Sequence, residues 1–150
     1  MSSVVPSEYV VDAEKSRIDL DRVHRWLSVE SYWAQGRTRE QVERSIANSV
    51  ALGAYHRGEQ VGFARIVTDH STFGWLCDVF VEKTHRGRGV GKLLVRAAVA
   101  YADACGLRIT VLATRDAQKL YAQSGGFHVM ERPQGWMVRR GADGAPPVAR

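Results

Sequence analysis

A basic, glycine-rich segment that follows an apolar run is the part of this sequence best suited to bind a phosphate group. The segment spans residues 85–92, reads His-Arg-Gly-Arg-Gly-Val-Gly-Lys and comes shortly after the apolar residues 79–81. Glycine has no Cβ, so main-chain N–H groups can approach an anion closely, and the first turn of a following helix favours negative charge. Arg86, Arg88 and Lys92 add positive charge. The pattern predicts a phosphate-binding loop between a strand and a helix.

Two common phosphate-binding loops do not fit this segment. A Walker-type loop needs a glycine where Arg86 stands and a hydroxyl group where Leu93 stands, because the hydroxyl binds Mg²⁺. A dinucleotide-binding loop needs a third glycine where Lys92 stands, and an acidic residue at the end of a second strand about 20 positions later. The sequence continues instead with a long helical pattern and then the segment Arg-Ile-Thr-Val at 108–111. Nucleoside triphosphatase and dinucleotide-binding functions are therefore disfavoured.

Two ordered signatures resemble those of the GNAT superfamily of N-acetyltransferases. Arg86-x-x-Gly89-x-Gly91 after a strand is similar to the family's pyrophosphate loop. Residues 114–121, followed by Gly-Gly-Phe at 125–127, resemble the second signature, a helix that carries Leu-Tyr and closes on Gly-Phe. Two such signatures about 30 residues apart arise by chance far less often than one glycine loop. The similarity covers over half of the chain.

The resemblance implies acetyl-CoA as a co-substrate. Strand residues would offer main-chain groups to the pantetheine arm, and loop amides would hold the pyrophosphate. Thr114 stands where many members have an asparagine that hydrogen-bonds the coenzyme, and its hydroxyl could replace that contact. The cofactor-binding residues implied in this way are Val79, Phe80, Val81, Arg86, Gly87, Arg88, Gly89, Val90, Gly91, Lys92 and Thr114.

The resemblance also identifies Tyr121 as a candidate catalytic residue. The family commonly has a tyrosine at this point of the helix, near the coenzyme sulfur, where its hydroxyl can protonate the departing thiolate. The alternative is a tyrosine that only packs or orients coenzyme A, because a phenol with a pKa of about 10 donates usefully only in the right geometry.

Asp78 is a second candidate catalytic residue, because it is the charged side chain within the apolar run 75–81. Alternation along a strand puts it on the face opposite Cys77 and Val79. A carboxylate among apolar neighbours needs a partner or a function. It could bind a cationic substrate or accept its proton through water, and the alternative is a solvated edge residue or a salt-bridge partner.

The acceptor is expected to be a small-molecule or peptide amine that attacks the thioester directly in a ternary complex. Family members tend to build the acceptor pocket from the loop after the first helix, which implies Glu30, Tyr32 and Trp33 as substrate-binding residues. Cys77 is a weak candidate nucleophile, since no pattern brings a histidine to it. The alternatives are a non-catalytic acyl-CoA-binding regulatory protein and, less favoured, a small basic nucleic-acid-binding domain.

Helical and strand patterns alternate along the chain and predict one α/β (α+β) domain. The resemblance implies a GNAT-like domain over residues 1–140, with a flexible tail at 141–150. A central, twisted, mixed but mostly antiparallel sheet of six to seven strands would be flanked by about four helices. The last two strands are expected at 127–130 and 136–139, as a closing pair.

Composition limits the function classes further. The chain has 150 residues, 45% hydrophobic and 25% charged, which suits one globular core. The net charge of +5 is concentrated only around the glycine loop, so nucleic-acid binding is a minor alternative. No apolar segment approaches the roughly 20 residues that cross a bilayer, and we expect a cytoplasmic protein without membrane contact. Neither cysteine nor histidine spacing indicates a metal site. A homodimer is a common default.

Overall fold

One five-stranded sheet flanked by four helices organises the chain, in a computed structural model that describes residues 8–142. The strands are β1 (Tyr9–Asp12), β2 (Val50–His56), β3 (Glu59–Thr68), β4 (Phe73–Val81) and β5 (Ile109–Val111). The helices are α1 (Leu20–Arg25), α2 (Arg39–Ala47), α3 (Val90–Cys105) and α4 (Gln118–Gly125). A π-helical turn, Trp26–Glu30, extends α1.

The strands lie side by side in the order in which they occur along the chain, β1-β2-β3-β4-β5. The pairs β1–β2, β2–β3 and β3–β4 are antiparallel, whereas β4 and β5 are parallel and α3 lies in the connection between them. The predicted mixed, mostly antiparallel sheet with about four helices is confirmed. The predicted count of six to seven strands is wrong, because the sheet has five strands within residues 8–142.

The missing strands are those of the predicted closing pair. Neither 127–130 nor 136–139 forms a strand, and a 3-10 turn at Pro133–Gly135 lies between them. Val129 is 79% exposed and Met137 is 95% exposed. Strand formation is stabilised by packing side chains against neighbours on the same face, and these side chains lie in solvent instead. The sequence of these two segments was therefore not sufficient to predict sheet pairing.

Apolar clusters cover both faces of the sheet. On one face, Leu94 and Ala98 of α3 pack against buried residues of β2, β3 and β4. On the other face, the α1 and α2 segments pack against the sheet, and the rings of Trp26 and Phe80 stack with centroids 5.4 Å apart. Burial of these side chains stabilises the domain and holds β4 between the two helical layers.

Local contacts define two of the helix ends. α2 begins with a capping box, in which the Gln41 N–H donates to Thr38 Oγ1 at 3.1 Å and the Thr38 N–H donates to Gln41 Oε1 at 2.8 Å. α3 ends at Gly106, whose φ of +67° lies in the left-handed region that glycine adopts readily.

No helix within residues 8–142 is long and apolar enough to cross a membrane. Across the same described part of the chain, no group of three or more His, Cys, Asp or Glu side chains is arranged to hold a metal ion. Of the predicted tail at 141–150, residues 143–150 lie outside the described part of the chain.

Candidate active site

A cleft of about 1070 Å³ opens where β4 and β5 separate. The two strands pair only from Phe73 with Ile109 to Trp75 with Val111, whereas β4 continues to Val81. Beyond Trp75, main-chain groups on this side of β4 therefore have no β5 partner and border the cleft. Such a free strand edge can bind an extended ligand through its main-chain N–H and C=O groups.

The cleft brings together all but one of the predicted site residues. Arg88 does not line it. The predicted residues that do are Glu30, Tyr32, Trp33, Asp78, Val79, Phe80, Val81, Arg86, Gly87, Gly89, Val90, Gly91, Lys92, Thr114 and Tyr121.

The loop before α3 has the backbone conformation and the open space that a diphosphate needs. φ is +78° at Gly87 and +85° at Gly89, and no heavy atom lies within 4 Å of the position that a Cβ would take at either residue. The Leu93 N–H donates to the Gly89 carbonyl at 3.1 Å. Residues 90–92 come before Leu93 in the helix, so their N–H groups have no acceptor within the helix and point out of its N-terminus. This geometry fits an anionic group with several oxygen acceptors.

Two of the predicted cofactor-binding residues also hold the loops in position. Arg86 Nε donates to the Val81 carbonyl at 2.9 Å, and the Arg86 guanidinium carbon lies 5.1 Å from the ring centre of Phe80. Thr114 Oγ1 accepts a bond from the Ala117 N–H at 3.1 Å, just before α4. The glycine loop and the start of α4 are therefore tied to the chain on either side of the cleft.

Tyr121 lies on α4 with its half-buried side chain bordering the cleft. Burial raises the pKa of its hydroxyl to about 12, and the nearby Tyr32, Asp116 and Cys77 act in the same direction. Its ring meets Phe127 edge to face, with centroids 6.1 Å apart. The phenol is protonated at neutral pH, so it can act as a proton donor.

The local structure explains why glycine occurs at both positions 125 and 126, after Tyr121. A Cβ at Gly125 would lie 2.8 Å from the Phe127 ring and 2.9 Å from Val95, closer than real Cβ contacts. Gly126 has a φ of +71° and ends α4 in the left-handed conformation. Gly126 therefore lies at the helix end, and Tyr121 borders the cleft with both glycines present.

Asp78 occupies a bulge in β4. Phe63 pairs with Phe80, and Arg65 pairs with Cys77, so two residues of β4 lie opposite one residue of β3. The φ of Asp78 is +54°, which is uncommon for any residue other than glycine. The bulge interrupts the strict alternation from which the orientation of Asp78 was predicted.

The Asp78 carboxylate accepts three hydrogen bonds, and the residue is only 4% exposed. Trp33 Nε1 donates to Oδ1 at 2.9 Å, whereas Arg37 Nη1 and Arg65 Nε donate to Oδ2 at 2.8 Å and 3.0 Å. A carboxylate offers about four acceptor positions, so one remains, on Oδ1. Of the roles that the sequence left open for Asp78, the salt bridge is the one whose contacts are present.

Arg37 and Arg65 were not among the predicted site residues. Arg65 is a buried charge within the apolar strand β3. The criterion that identified Asp78, a charged residue within an apolar run, could therefore have identified Arg65 as well. Arg37 follows Gly36 in the loop before α2, and 41 positions separate it from Asp78. No local pattern indicates a contact over that distance.

Aromatic residues connect two loops that border the cleft. The Arg115 N–H donates to the Tyr32 hydroxyl at 3.2 Å, and the Arg115 guanidinium carbon lies 3.8 Å from the Tyr32 ring centre. The rings of Tyr32 and Trp33 meet edge to face, with centroids 4.9 Å apart. Glu30 lies 3.9 Å from Arg25 and lines the cleft. The loop before α2 is thereby joined to the loop before α4.

Cys77 lines the same cleft as a protonated thiol. Burial raises its pKa to about 12, although Arg65 and Arg37 act in the opposite direction. The thiolate is the reactive form of cysteine, so this side chain is a poor nucleophile at neutral pH.

Comparison with known proteins identifies a family that spans most of the domain. The model of the GNAT acetyltransferase family matches residues 20–127. A GNAT-family protein from Xanthomonas campestris pv. campestris, known from a crystal structure, is 42% identical, with a TM-score of 0.82. The match covers 87% of this chain and 92% of that protein.

Two further relatives extend the comparison. A Gibberella zeae protein named for a proposed acetyltransferase activity is 25% identical over 140 residues, which cover 80% of this chain and 79% of the relative. A Mycobacterium tuberculosis protein, crystallised with CoA and a second ligand, has a TM-score of 0.65 at 19% identity. That match covers 77% of this chain and 70% of the other protein, and it shows the fold alone.

Proposed function

Because this chain belongs to the GNAT family of acetyltransferases, we propose that it transfers an acetyl group from acetyl-CoA to a primary amine of its acceptor. The observation that carries this proposal is the cleft at the β4–β5 split. It combines a loop suited to a diphosphate, a free strand edge and a protonated tyrosine.

The residues that border the cleft fit coenzyme A along its length. We propose that main-chain N–H groups of residues 87–92 bind the diphosphate and that the free edge of β4 at 79–81 binds the pantetheine arm. Acetyl-CoA would supply the activated thioester. The fold relative that was crystallised with CoA supports this use of the fold.

Tyr121 is proposed as the acid that protonates the departing thiolate. Its side chain borders the cleft, and its hydroxyl is protonated at neutral pH. Because the raised pKa also makes it a weaker acid than free tyrosine, donation depends on a direct hydrogen bond to the sulfur as the thioester breaks. A positioned acid of this kind contributes about 100-fold or more to a rate when proton transfer accompanies bond cleavage.

We propose direct attack by a neutral amine within a ternary complex. The Cys77 thiol is protonated and so does not favour an acyl-enzyme. The cleft opens to solvent, so water can take the proton of the amine before attack. Asp78 is proposed to hold Trp33, Arg37 and Arg65 in place, because three of its acceptor positions are already bonded to them.

An acetyl-CoA-dependent thiol-release assay over an amine library tests this function. We expect turnover with at least one amine, and a strong loss of turnover in Tyr121→Phe. CoA binding without turnover of any amine would instead support the non-catalytic acyl-CoA-binding protein. A nucleic-acid-binding domain would show affinity for nucleic acid that falls steeply with salt and that CoA does not displace.

Three further aspects of the function stay predictions. The acceptor is a small-molecule or peptide amine, the protein acts in the cytoplasm, and the chain forms a homodimer. Sedimentation at several protein concentrations tests the last of these, because a homodimer has about twice the mass of the chain.

A further inference from the structure

Two arginine side chains bind one buried carboxylate, that of Asp78, which borders the cleft. Arg37 and Arg65 both donate to Oδ2 of Asp78, at 2.8 Å and 3.0 Å. Two guanidinium groups and one carboxylate leave one uncompensated positive charge. The Arg65 side chain is 10% exposed and that of Arg37 is 24% exposed, and only Arg37 lines the cleft. The remaining charge is therefore available to a ligand through Arg37.

The Arg37 guanidinium has donors left over for such a ligand. It carries five N–H groups. Within residues 8–142, its only hydrogen bond is the one from Nη1 to Asp78. A partly buried cation with unpaired donors is costly unless a partner binds it. A planar guanidinium suits a planar carboxylate, which can accept two parallel hydrogen bonds.

The loop before α2 holds Arg37 in this position before any ligand binds. Gly36 has a φ of +79°, and its N–H donates to the Ser28 carbonyl at 3.1 Å. The Arg37 N–H donates to the Ala34 carbonyl at 3.1 Å, and His24 Nε2 lies 3.1 Å from the Arg37 carbonyl oxygen. Because the backbone on both sides of Arg37 is fixed, little freedom is lost when its side chain binds an anion.

The charge also lies near the proposed reacting groups. Cys77 directly precedes Asp78 on β4, and its thiol interacts electrostatically with Arg37 and Arg65. The Tyr121 hydroxyl interacts with the same thiol. Arg37, Cys77 and Tyr121 all line the same cleft, so an anion bound by Arg37 and an amine bound near Tyr121 would share one cavity.

We propose that the acceptor is an amino acid or a similar small amine with a carboxylate, and that Arg37, positioned by Asp78, binds this carboxylate. The proposal rests on the proposed acetyl transfer and names its substrate class. A carboxylate matches the one positive charge left over among Arg37, Arg65 and Asp78, whereas a phosphate dianion carries one charge more. Arg37 is then the residue that determines specificity.

Matched pairs of amines test this proposal in the thiol-release assay. The probes are the common amino acids, β-alanine and γ-aminobutyrate, each compared with its carboxamide, and phosphoethanolamine compared with ethanolamine. We expect kcat/KM to be about 10- to 100-fold higher for the best carboxylate than for its carboxamide, as for loss of one charge-assisted contact. In Arg37→Gln this ratio should fall towards unity through KM, and Arg37→Lys should retain part of it.

Arg39→Gln is the matched control, since Arg39 forms an exposed ion pair with Asp21 on the surface of the domain. It should leave the ratio unchanged. Carboxamides or phosphoethanolamine accepted as well as the carboxylates, or an unchanged ratio in Arg37→Gln, would overturn the inference.

A binding measurement separates this inference from the proposed function. If CoA binds and no amine is acetylated, acetyl transfer itself has failed. The inference is then decided by whether the carboxylates raise the melting temperature of the CoA-saturated protein more than their carboxamides do. We expect that difference in the wild type and its loss in Arg37→Gln. Equal effects of carboxylates and carboxamides on the wild type would overturn it.

Discussion

At the scale of single residues, burial of the Tyr121 phenol widens the pH range over which it stays protonated and makes it a weaker acid. A protonated phenol is neutral, so desolvation favours it over the phenolate and raises the pKa to about 12. The proton is present at every physiological pH, and because the phenol is a weak acid, its donation to a thiolate depends on a close and well-aligned hydrogen bond.

Replacement of Tyr121 by phenylalanine should lower kcat about 100-fold, because the proton donor is lost while the ring remains. The KM for acetyl-CoA should change little. Steady-state thiol release measures both quantities. Tyr101→Phe is a matched control, since Tyr101 lies on α3 and its hydroxyl contacts His70 rather than the cleft. Equal activity of Tyr121→Phe and wild type would show that the phenol is dispensable.

The pH dependence of kcat/KM provides a second test at this scale. The rate should rise with pH while the amine acceptor loses its proton. Because the pKa of Tyr121 is raised to about 12, the acid form persists through the range from pH 7 to about pH 10. We therefore expect no descending limb below about pH 10. A descending limb in that range that disappears in Tyr121→Phe would contradict the protonation state described here.

Asp78→Asn should lower the free energy of unfolding by about 3 kcal/mol, because it leaves two guanidinium groups near a neutral amide. Arg65 is the more costly of the two, since it is the more deeply buried. Urea unfolding measures the change. Asp21→Asn removes an exposed carboxylate from Arg39 and should cost less than about 1 kcal/mol. Similar effects of the two substitutions would show that Asp78 does not hold the arginines.

Individual site residues were predictable only where a local pattern marks them. Tyr121 and the glycines of the loop belong to contiguous signatures, and the structure brings them to one cleft. The contact between Arg37 and Asp78 joins residues 41 positions apart, and it also depends on a bulge in β4. A sequence pattern carries no information about either feature.

At the scale of elements, the turn from β4 into α3 is the part of the fold that a diphosphate would contact. Gly89→Ala should place a Cβ at a residue with a φ of +85°, which destabilises the fold by about 1 kcal/mol. It should also lower CoA affinity about tenfold or more, because the Cβ would project into space that the anion needs. Calorimetry with CoA and urea unfolding measure the two effects.

Gly58→Ala provides the control, since Gly58 also has a φ of +85° and open space around it, but lies in the hairpin turn between β2 and β3. It should cost similar stability and leave CoA affinity unchanged. Equal loss of affinity in both variants would show that the effect on binding is indirect.

The elements themselves could largely be predicted, because most of them bury one face. The strand and the helix expected on either side of the glycine loop are present as β4 and α3, since buried side chains recur at strand or helix spacing there. The pair at 127–130 and 136–139 was wrong, because its apolar side chains lie in solvent and only tertiary packing could have revealed that.

At the scale of the whole molecule, part of the net charge of +5 comes from basic residues that line the cleft. The basic loop residues Arg86 and Lys92 line the same cleft as the N-terminus of α3, so a polyanionic cofactor would encounter favourable potential there. Association with CoA should therefore weaken as ionic strength rises, as expected for partly exposed charges.

The most direct test of the phosphate-binding loop is calorimetric titration of the folded protein with CoA and, separately, with pantetheine, which lacks the whole 3′-phospho-ADP part that contains the diphosphate. We predict saturable heat with one CoA per chain, a raised melting temperature, and affinity for pantetheine that is lower by about 100-fold or more. Absence of heat and of any thermal shift with millimolar CoA, or equal affinity for pantetheine, would contradict the role assigned to residues 86–92.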